Sequence, residues 1–183
     1  VDDATLAEFK AAMARHAVCA VRHDTPLSNE EHIAFAARLG PIEQRPILRY
    51  AADKKNRVPH FEIIDQSNLD ENGDILPDDD KRMLYKRANR QWHTDVSFHT
   101  VRATYSALSC HLTPPGGADT EFADMRAAWD ALPAAMKSRL DGLVAEHSYW
   151  YSRVRAGGPE PTADERLTGP PARHPLVHVH APS

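Results

Sequence analysis

Apolar residues along this chain fall into short runs with two periods, and the polar residues between them carry cap and turn chemistry. Leu6, Phe9 and Met13 stand near helical spacing behind Asp2 and Asp3, either of which can cap a first helix. Ala17 to Val21 is short, apolar and partly β-branched, so it reads as a strand, followed by the turn Asp24-Thr25-Pro26. Ser28 and Glu31 have capping-box spacing and open a second helix with Ile33, Phe35 and Leu39 inward. Gly40-Pro41 stops it. From about Arg45 to Lys86 the pattern is irregular and charged. Within it His60 to Ile64 reads as a strand, and the acidic run Asp70 to Asp80, with Gly73 and Pro77, as a loop. A loop of that length is either a solvated insertion or a functional flap.

Trp92 to Ser97 and Thr104 to Leu112 read as strands, Thr113 to Gly117 as a turn, and Asp119 to Phe122 as a further strand. Asp124 caps a helix through Leu132, and Pro133 suits the first turn of the next, ending near Gly142. Val144 to Tyr151 reads as a strand, Gly157 to Pro171 as a mobile loop, and Pro175 to His180 alternates as a last strand. Helices and strands thus mix in an α+β arrangement, with no internal repeat. Residues 1–183 are expected to form a single domain.

Composition narrows the function. The chain has 183 residues, enough for one domain with a core. A net charge of -4 gives no electrostatic support for nucleic-acid binding. No apolar run approaches a membrane span, and no leader pattern is visible. Cys19 and Cys110 show neither CxxC spacing nor a disulfide framework, which suits a reducing cytosol, so a cytoplasmic protein is expected. The 11 His are more than a domain of this size usually carries, and most are expected at the surface or in the core.

One stretch holds candidate chemistry: Gln91-Trp92-His93-Thr94-Asp95-Val96-Ser97-Phe98. On a strand, His93 and Asp95 leave the same face. An imidazole beside a carboxylate makes two thirds of the 2-His-1-carboxylate triad that holds non-haem Fe(II) and leaves open positions. His-x-Asp alone is a common tripeptide. Here Trp92 and Phe98 add bulky flanks able to exclude water, and a Gly-Gly turn followed by Thr120 lies downstream.

WHTDVSF, then PPGGADTEFADMRAAWDALP, then HPLVHVHAPS, with SNEEHIAFAARLGPIE ahead of them, resemble segments of the taurine / 2,4-dichlorophenoxyacetate dioxygenase family, in the family's order. RANRQWHTD looks closer to the phenoxyacetate side. The resemblance implies a double-stranded β-helix, a jelly roll with flanking helices. It implies Fe(II) as metal and 2-oxoglutarate as co-substrate, with His93 and Asp95 as metal ligands and catalytic residues. Thr120 matches the threonine that hydrogen-bonds a 2-oxoglutarate carboxylate. Asn89 matches an asparagine near the substrate, and Ser97 a serine by the pocket. His60, His99 and His111 are expected at the surface or in the core, and His174 to be structural. His178 and His180 share a strand face but match no iron ligand. Asp124 and Arg126 read as a cap and a helix-surface charge, and Met125, Trp129 and Leu132 as core.

The family's distal His, and the Arg that pairs with the far carboxylate of 2-oxoglutarate, lie beyond the HPLV segment. The barrel is therefore expected to be incomplete at the C-terminus of these residues, with an open flank beside His93 and Asp95. The loop before the motif is acidic where phenoxyacetate enzymes place basic residues, and Arg49, Lys54 and Lys55 are loose substitutes. The expected activity is hydroxylation of a small organic acid, an aryloxyalkanoate in the first instance, with release of succinate and CO2. Hydroxylation next to the ether oxygen gives a hemiacetal that falls apart, which cleaves the ether. Expected partners are that acid and O2, with no nucleic acid and no membrane, and the oligomeric state is left open, a homo-oligomer included. The alternatives are a taurine or alkylsulfonate dioxygenase, and a non-catalytic jelly-roll binding protein lacking the distal ligand.

Overall fold

The computed structural model describes residues 1–43, 57–117 and 119–179. Helix α1 is Asp3–His16, with Asp2 as its cap: its carboxylate accepts from the Thr5 N–H at 2.8 Å. Leu6 is buried, and Phe9 meets Phe35 edge-on with ring centroids 5.5 Å apart. That contact fastens α1 to α2 (Asn29–Leu39). The capping box forms as the sequence implies: the Ser28 N–H donates to Glu31 Oε2 at 2.8 Å, and the Glu31 N–H to Ser28 Oγ at 3.2 Å.

The acidic segment is more ordered than a loop. The Asp70 carboxylate accepts from the N–H groups of Asn72 and Asp74 at 2.8 and 2.9 Å, and Gly73 supplies the left-handed residue at φ 91°. Leu69 and Ile75 then bridge antiparallel, and Leu76 is buried. At the far end the Asp80 carboxylate accepts from the Arg82 N–H at 2.7 Å and opens α3 (Lys81–Arg87), which runs into a 3-10 turn, Ala88–Arg90. The reading of irregular chain up to Lys86 is corrected here: Asp80 acts as a cap.

Further on come α4 (Met125–Ala131), α5 (Ala134–Leu140), β1 (Val144–His147), α6 (Tyr149–Arg155), α7 (Ala163–Thr168) and β2 (Ala172–Pro175). Asp124 caps α4 by accepting from the N–H groups of Arg126 and Ala127. β1 and β2 form a two-stranded sheet. The Leu176 N–H, just past β2, donates to the Leu143 carbonyl, just before β1, which makes the pair antiparallel. Two sequence expectations change here. Val144 to Tyr151 is a strand only to His147, after which the Ser148 hydroxyl caps α6. Within 157–171 the box of Thr162 and Glu165 builds α7. The last strand is Ala172–Pro175, ending where the alternating run begins.

Other expected strands are absent among the described residues. Ala17 to Val21, His60 to Ile64, Trp92 to Ser97, Thr104 to Leu112 and Asp119 to Phe122 pair with no ladder. A strand exists through its neighbour, and β-propensity alone does not supply one. Val101, Leu108, Leu112 and Phe122 are accordingly exposed. Met125, expected in the core, is exposed, while Trp129 is half-buried with Lys137 Nζ 5.5 Å from its ring centre.

The chain divides into two compact units. Unit 1 comprises Val1–Phe35, Leu108–Val144 and Pro175–Ser183; unit 2 comprises Ala36–Ala107 and Ala145–His174. In unit 1 the Arg126 guanidinium donates to the carbonyls of Ala14 and Arg15 at 2.7 and 3.0 Å. It therefore closes the C-terminal end of α1, where the sequence suggested only a surface charge. No described helix is long and apolar enough to cross a membrane, and both cysteines are free.

Candidate active site

Unit 2 holds His93, Asp95, Asn89 and Ser97. His93 and Asp95 do meet, though not on a strand: residues 92–94 belong to no helix or strand. Residues 95–98 turn, with Val96 left-handed at φ 47°. For a β-branched residue that backbone is strained by roughly 1–3 kcal/mol. The turn is closed by the His99 N–H donating to the Val96 carbonyl at 3.0 Å.

The His93 ring is oriented by its own backbone. Nδ1 lies 2.6 Å from the Gln91 carbonyl, so Nδ1 carries a proton and donates. Nε2 is then the nitrogen with the free lone pair, and it lies 3.2 Å from Asp95 Oδ1. That puts two donor atoms, one nitrogen and one oxygen, side by side. A backbone carbonyl on the far ring nitrogen is the usual way a ligating imidazole is held in one tautomer. The donor set, one imidazole and one carboxylate with both side chains about half exposed, fits an iron-type divalent cation. Among the described residues, no third His, Cys, Asp or Glu joins them in a group able to hold a metal.

Phe98 packs against Tyr149, with centroids 5.2 Å apart, while Trp92 is largely exposed. Asn89 follows α3, and its side-chain amide donates to Gln66 Oε1 at 2.9 Å. Lys86 reaches back to the Ser67 carbonyl. Residues 66 and 67 thus hold the chain that leads to His93. They are anchored in turn by Asp65, which takes two hydrogen bonds from the Arg57 guanidinium at 2.9 and 3.0 Å. Burial pushes the Asp65 carboxyl up, but hydrogen bonds from Arg57 and Ser67, with the Arg57 charge, outweigh it and bring it down to about 2. Burial also lowers Lys86, opposed by the charge of Asp65 and helped by that of Arg82.

Thr120 is exposed in unit 1, outside any helix or strand. Arg49, Lys54 and Lys55 lie outside the described residues, as does His180; His178 and His111 are exposed. His99 is half-buried, its Nε2 3.5 Å from Glu43 Oε1. His147 packs edge-on against His174 with centroids 5.5 Å apart. Burial, then the nearby charges of His174 and Arg102, hold it below the ordinary imidazole range. The residue that sequence reasoning undervalued is His174, whose Nε2 lies 3.0 Å from the Ser97 carbonyl and 2.9 Å from that of His99. Its place before Pro175 gave no sign of a partner more than 70 residues away.

The taurine catabolism dioxygenase TauD, TfdA family model matches residues 1–183, and the chain belongs to that family. It is similar to the alpha-ketoglutarate-dependent 2,4-dichlorophenoxyacetate dioxygenase of Cupriavidus pinatubonensis, 41% identical over 158 residues, covering 86% of this chain and 54% of the relative. The (S)-phenoxypropionate/alpha-ketoglutarate-dioxygenase of Sphingobium herbicidovorans is 34% identical over 188 residues, covering 98% and 59%. Among solved structures, AAD-2 in complex with Mn(II) and N-oxalylglycine superposes with a TM-score of 0.91 at 36% identity, over 99% of this chain and 62% of that one. The chain thus spans between half and two thirds of the length of these relatives.

Proposed function

We propose that the protein is an Fe(II)- and 2-oxoglutarate-dependent dioxygenase that hydroxylates a small organic acid, an aryloxyalkanoate, and so cleaves its ether. The observation that carries this reading is the His93–Asp95 pair: Nδ1 committed to Gln91, Nε2 turned to Asp95 at 3.2 Å. The substrate class is supported by the relatives named above. The co-substrate is supported by N-oxalylglycine in AAD-2, which mimics 2-oxoglutarate. Bound Fe(II) with 2-oxoglutarate supplies the oxidation of a C–H bond by O2, with release of succinate and CO2.

In this reading His93 and Asp95 hold the metal from one side, and the Asp95 carboxylate offsets part of its charge. Thr120 donates its hydroxyl to a 2-oxoglutarate carboxylate. Asn89 and Ser97 line the substrate side, and the segment 57–80 forms the approach, tied to Asn89 through Gln66. Residues 1–183 belong to one catalytic domain, supported by a family match over both units, and the domain is a double-stranded β-helix with flanking helices, supported by the likeness to AAD-2. A cytoplasmic location fits the two free cysteines.

The intact protein, given Fe(II), 2-oxoglutarate and 2,4-dichlorophenoxyacetate, should form succinate and the corresponding phenol. Asp95→Ala should abolish both products. Normal iron content and rate in that variant would remove Asp95 from the site. Turnover with taurine alone would move the substrate to the sulfonates, and no succinate with any acid would leave a binding protein. Thr120→Val should raise the 2-oxoglutarate KM about tenfold or more, since a hydroxyl bond to a charged group contributes roughly 1.5–3 kcal/mol, with substrate KM little changed.

A further inference from the structure

We propose that His174 is a positioning residue: its buried imidazole holds the turn that presents Asp95. The inference rests on the metal-pair reading above only for its consequence at the metal. His174 is 8% exposed, the buried polar residue among those described. Its Nε2 faces two carbonyl oxygens, of Ser97 at 3.0 Å and His99 at 2.9 Å. Both are acceptors, so Nε2 carries the proton and donates to the pair as a shared bond. The two carbonyls thereby fix Nε2 as the donor.

The turn needs an outside hold. Val96 is left-handed, against its steric preference, and the internal His99-to-Val96 bond spans only the turn itself. His174 is well placed to supply that hold. It belongs to β2, which is hydrogen-bonded to β1, and its ring packs against His147. The carbonyls it binds follow Asp95 by two and four residues, on the same turn. Groups that orient metal ligands without touching the metal commonly account for 10–100-fold in affinity.

The test compares His174→Gln, whose amide nitrogen can stand where Nε2 stands, with His174→Asn, whose shorter side chain cannot reach, and with His174→Leu. Leu76→Ala, a buried site in the same unit, controls for plain destabilisation. Amide hydrogen exchange across residues 93–99 is read without metal, Mn(II) affinity by its EPR signal, and the melting temperature throughout. Asn and Leu should speed exchange across the turn and weaken Mn(II) at least about tenfold, while Gln stays within about threefold of the parent. Leu76→Ala should lower the melting temperature with both other readouts unchanged. If Asn and Leu behave like Leu76→Ala, His174 is merely structural and the proposal is overturned. Should the Leu variant not fold, the Gln and Asn pair decides. An Asp95→Ala protein that binds Mn(II) as the parent does would sink the metal reading instead, and the metal-free exchange would still decide whether His174 holds the turn.

Discussion

Among the described residues, two that are not glycine adopt left-handed backbone, one in each unit, and their surroundings are alike in plan. Ala17, φ 62°, ends α1, and the neighbouring carbonyls of Ala14 and Arg15 are taken by Arg126. Val96, φ 47°, sits in the turn of the candidate site, and the neighbouring carbonyls of Ser97 and His99 are taken by His174. In both places a side chain distant in sequence secures a strained piece of backbone. The difference lies in the solvent. The Arg126 side chain is 42% exposed, so water can replace it at those carbonyls, whereas His174 is buried and has no such substitute. The first arrangement tidies a helix end, and the second fixes a geometry.

Proline breaks the comparison most sharply. It imposes a negative φ, wrong at both positions, and removes an N–H. At Ala17 it forfeits the bond to Met13 and frays the last turn of α1, a loss on the order of 1–2 kcal/mol with Mn(II) binding intact. At Val96 it also restricts Asp95, the residue before it, and about 3 kcal/mol or more should go together with metal binding. Chemical denaturation paired with Mn(II) EPR reads both. Equal effects on Mn(II) would erase the distinction between the two turns.

Arg126→Met tests the exposed side of the pair. Removing two solvent-accessible hydrogen bonds should lower stability by about 1 kcal/mol or less, with no change in Mn(II) affinity. A loss of several kcal/mol, read from the urea midpoint, would place Arg126 on a par with a buried donor.

What is legible in the sequence follows from the range of the physics involved. The caps Asp2, Ser28 with Glu31, and Asp124 are local: a side chain and the next turn of backbone suffice. The Thr162–Glu165 box is equally local, but the Gly and Pro around it read as a loop. The strands failed for the opposite reason, since Thr104 to Leu112 carries the pattern of a strand but not the partner that would make it one. The spacing of His93 and Asp95 predicts neighbours on a strand, and they are neighbours without one. Residues two apart can meet off a strand as well as on one, and residues 92–94 pair with no ladder. Arg126 and His174 were illegible, because each acts on carbonyls more than 70 residues away.

Glycine relaxes the same two positions. At Ala17 it removes the left-handed penalty of roughly 1–2 kcal/mol and restores chain entropy of roughly 0.5–1, so Ala17→Gly should be neutral to about 1 kcal/mol more stable. At Val96 the same relief is offset by the packing of a half-buried side chain, and the net should be near zero. Thermal melts measure both. A clearly destabilised Ala17→Gly would mean that its backbone is not strained.

Acid sharpens the contrast with the smallest effect. Hydrogen bonds from the Ala127 and Arg126 N–H groups hold Asp124 below its ordinary value, in the helix that carries Arg126. Asp65, held down at about 2, anchors the residues that secure Lys86 and Asn89 ahead of His93. A carboxyl whose folded value is depressed stabilises above its unfolded value, and that share is lost as pH falls through the folded one. For Asp65 the window runs from about 4 down to about 2. The Arg57–Asp65 pair is partly exposed, so about 1 kcal/mol or less is at stake. Asp65→Asn should therefore be slightly less stable than the parent at neutral pH, and the two urea midpoints should converge as the buffer is taken from about 4 towards 2. A gap that persists undiminished at the acid end would mean that Asp65 contributes by packing and not by charge. No gap at neutral pH would mean that Gln66 and Ser67 keep their places without it, and the approach to His93 would need another anchor.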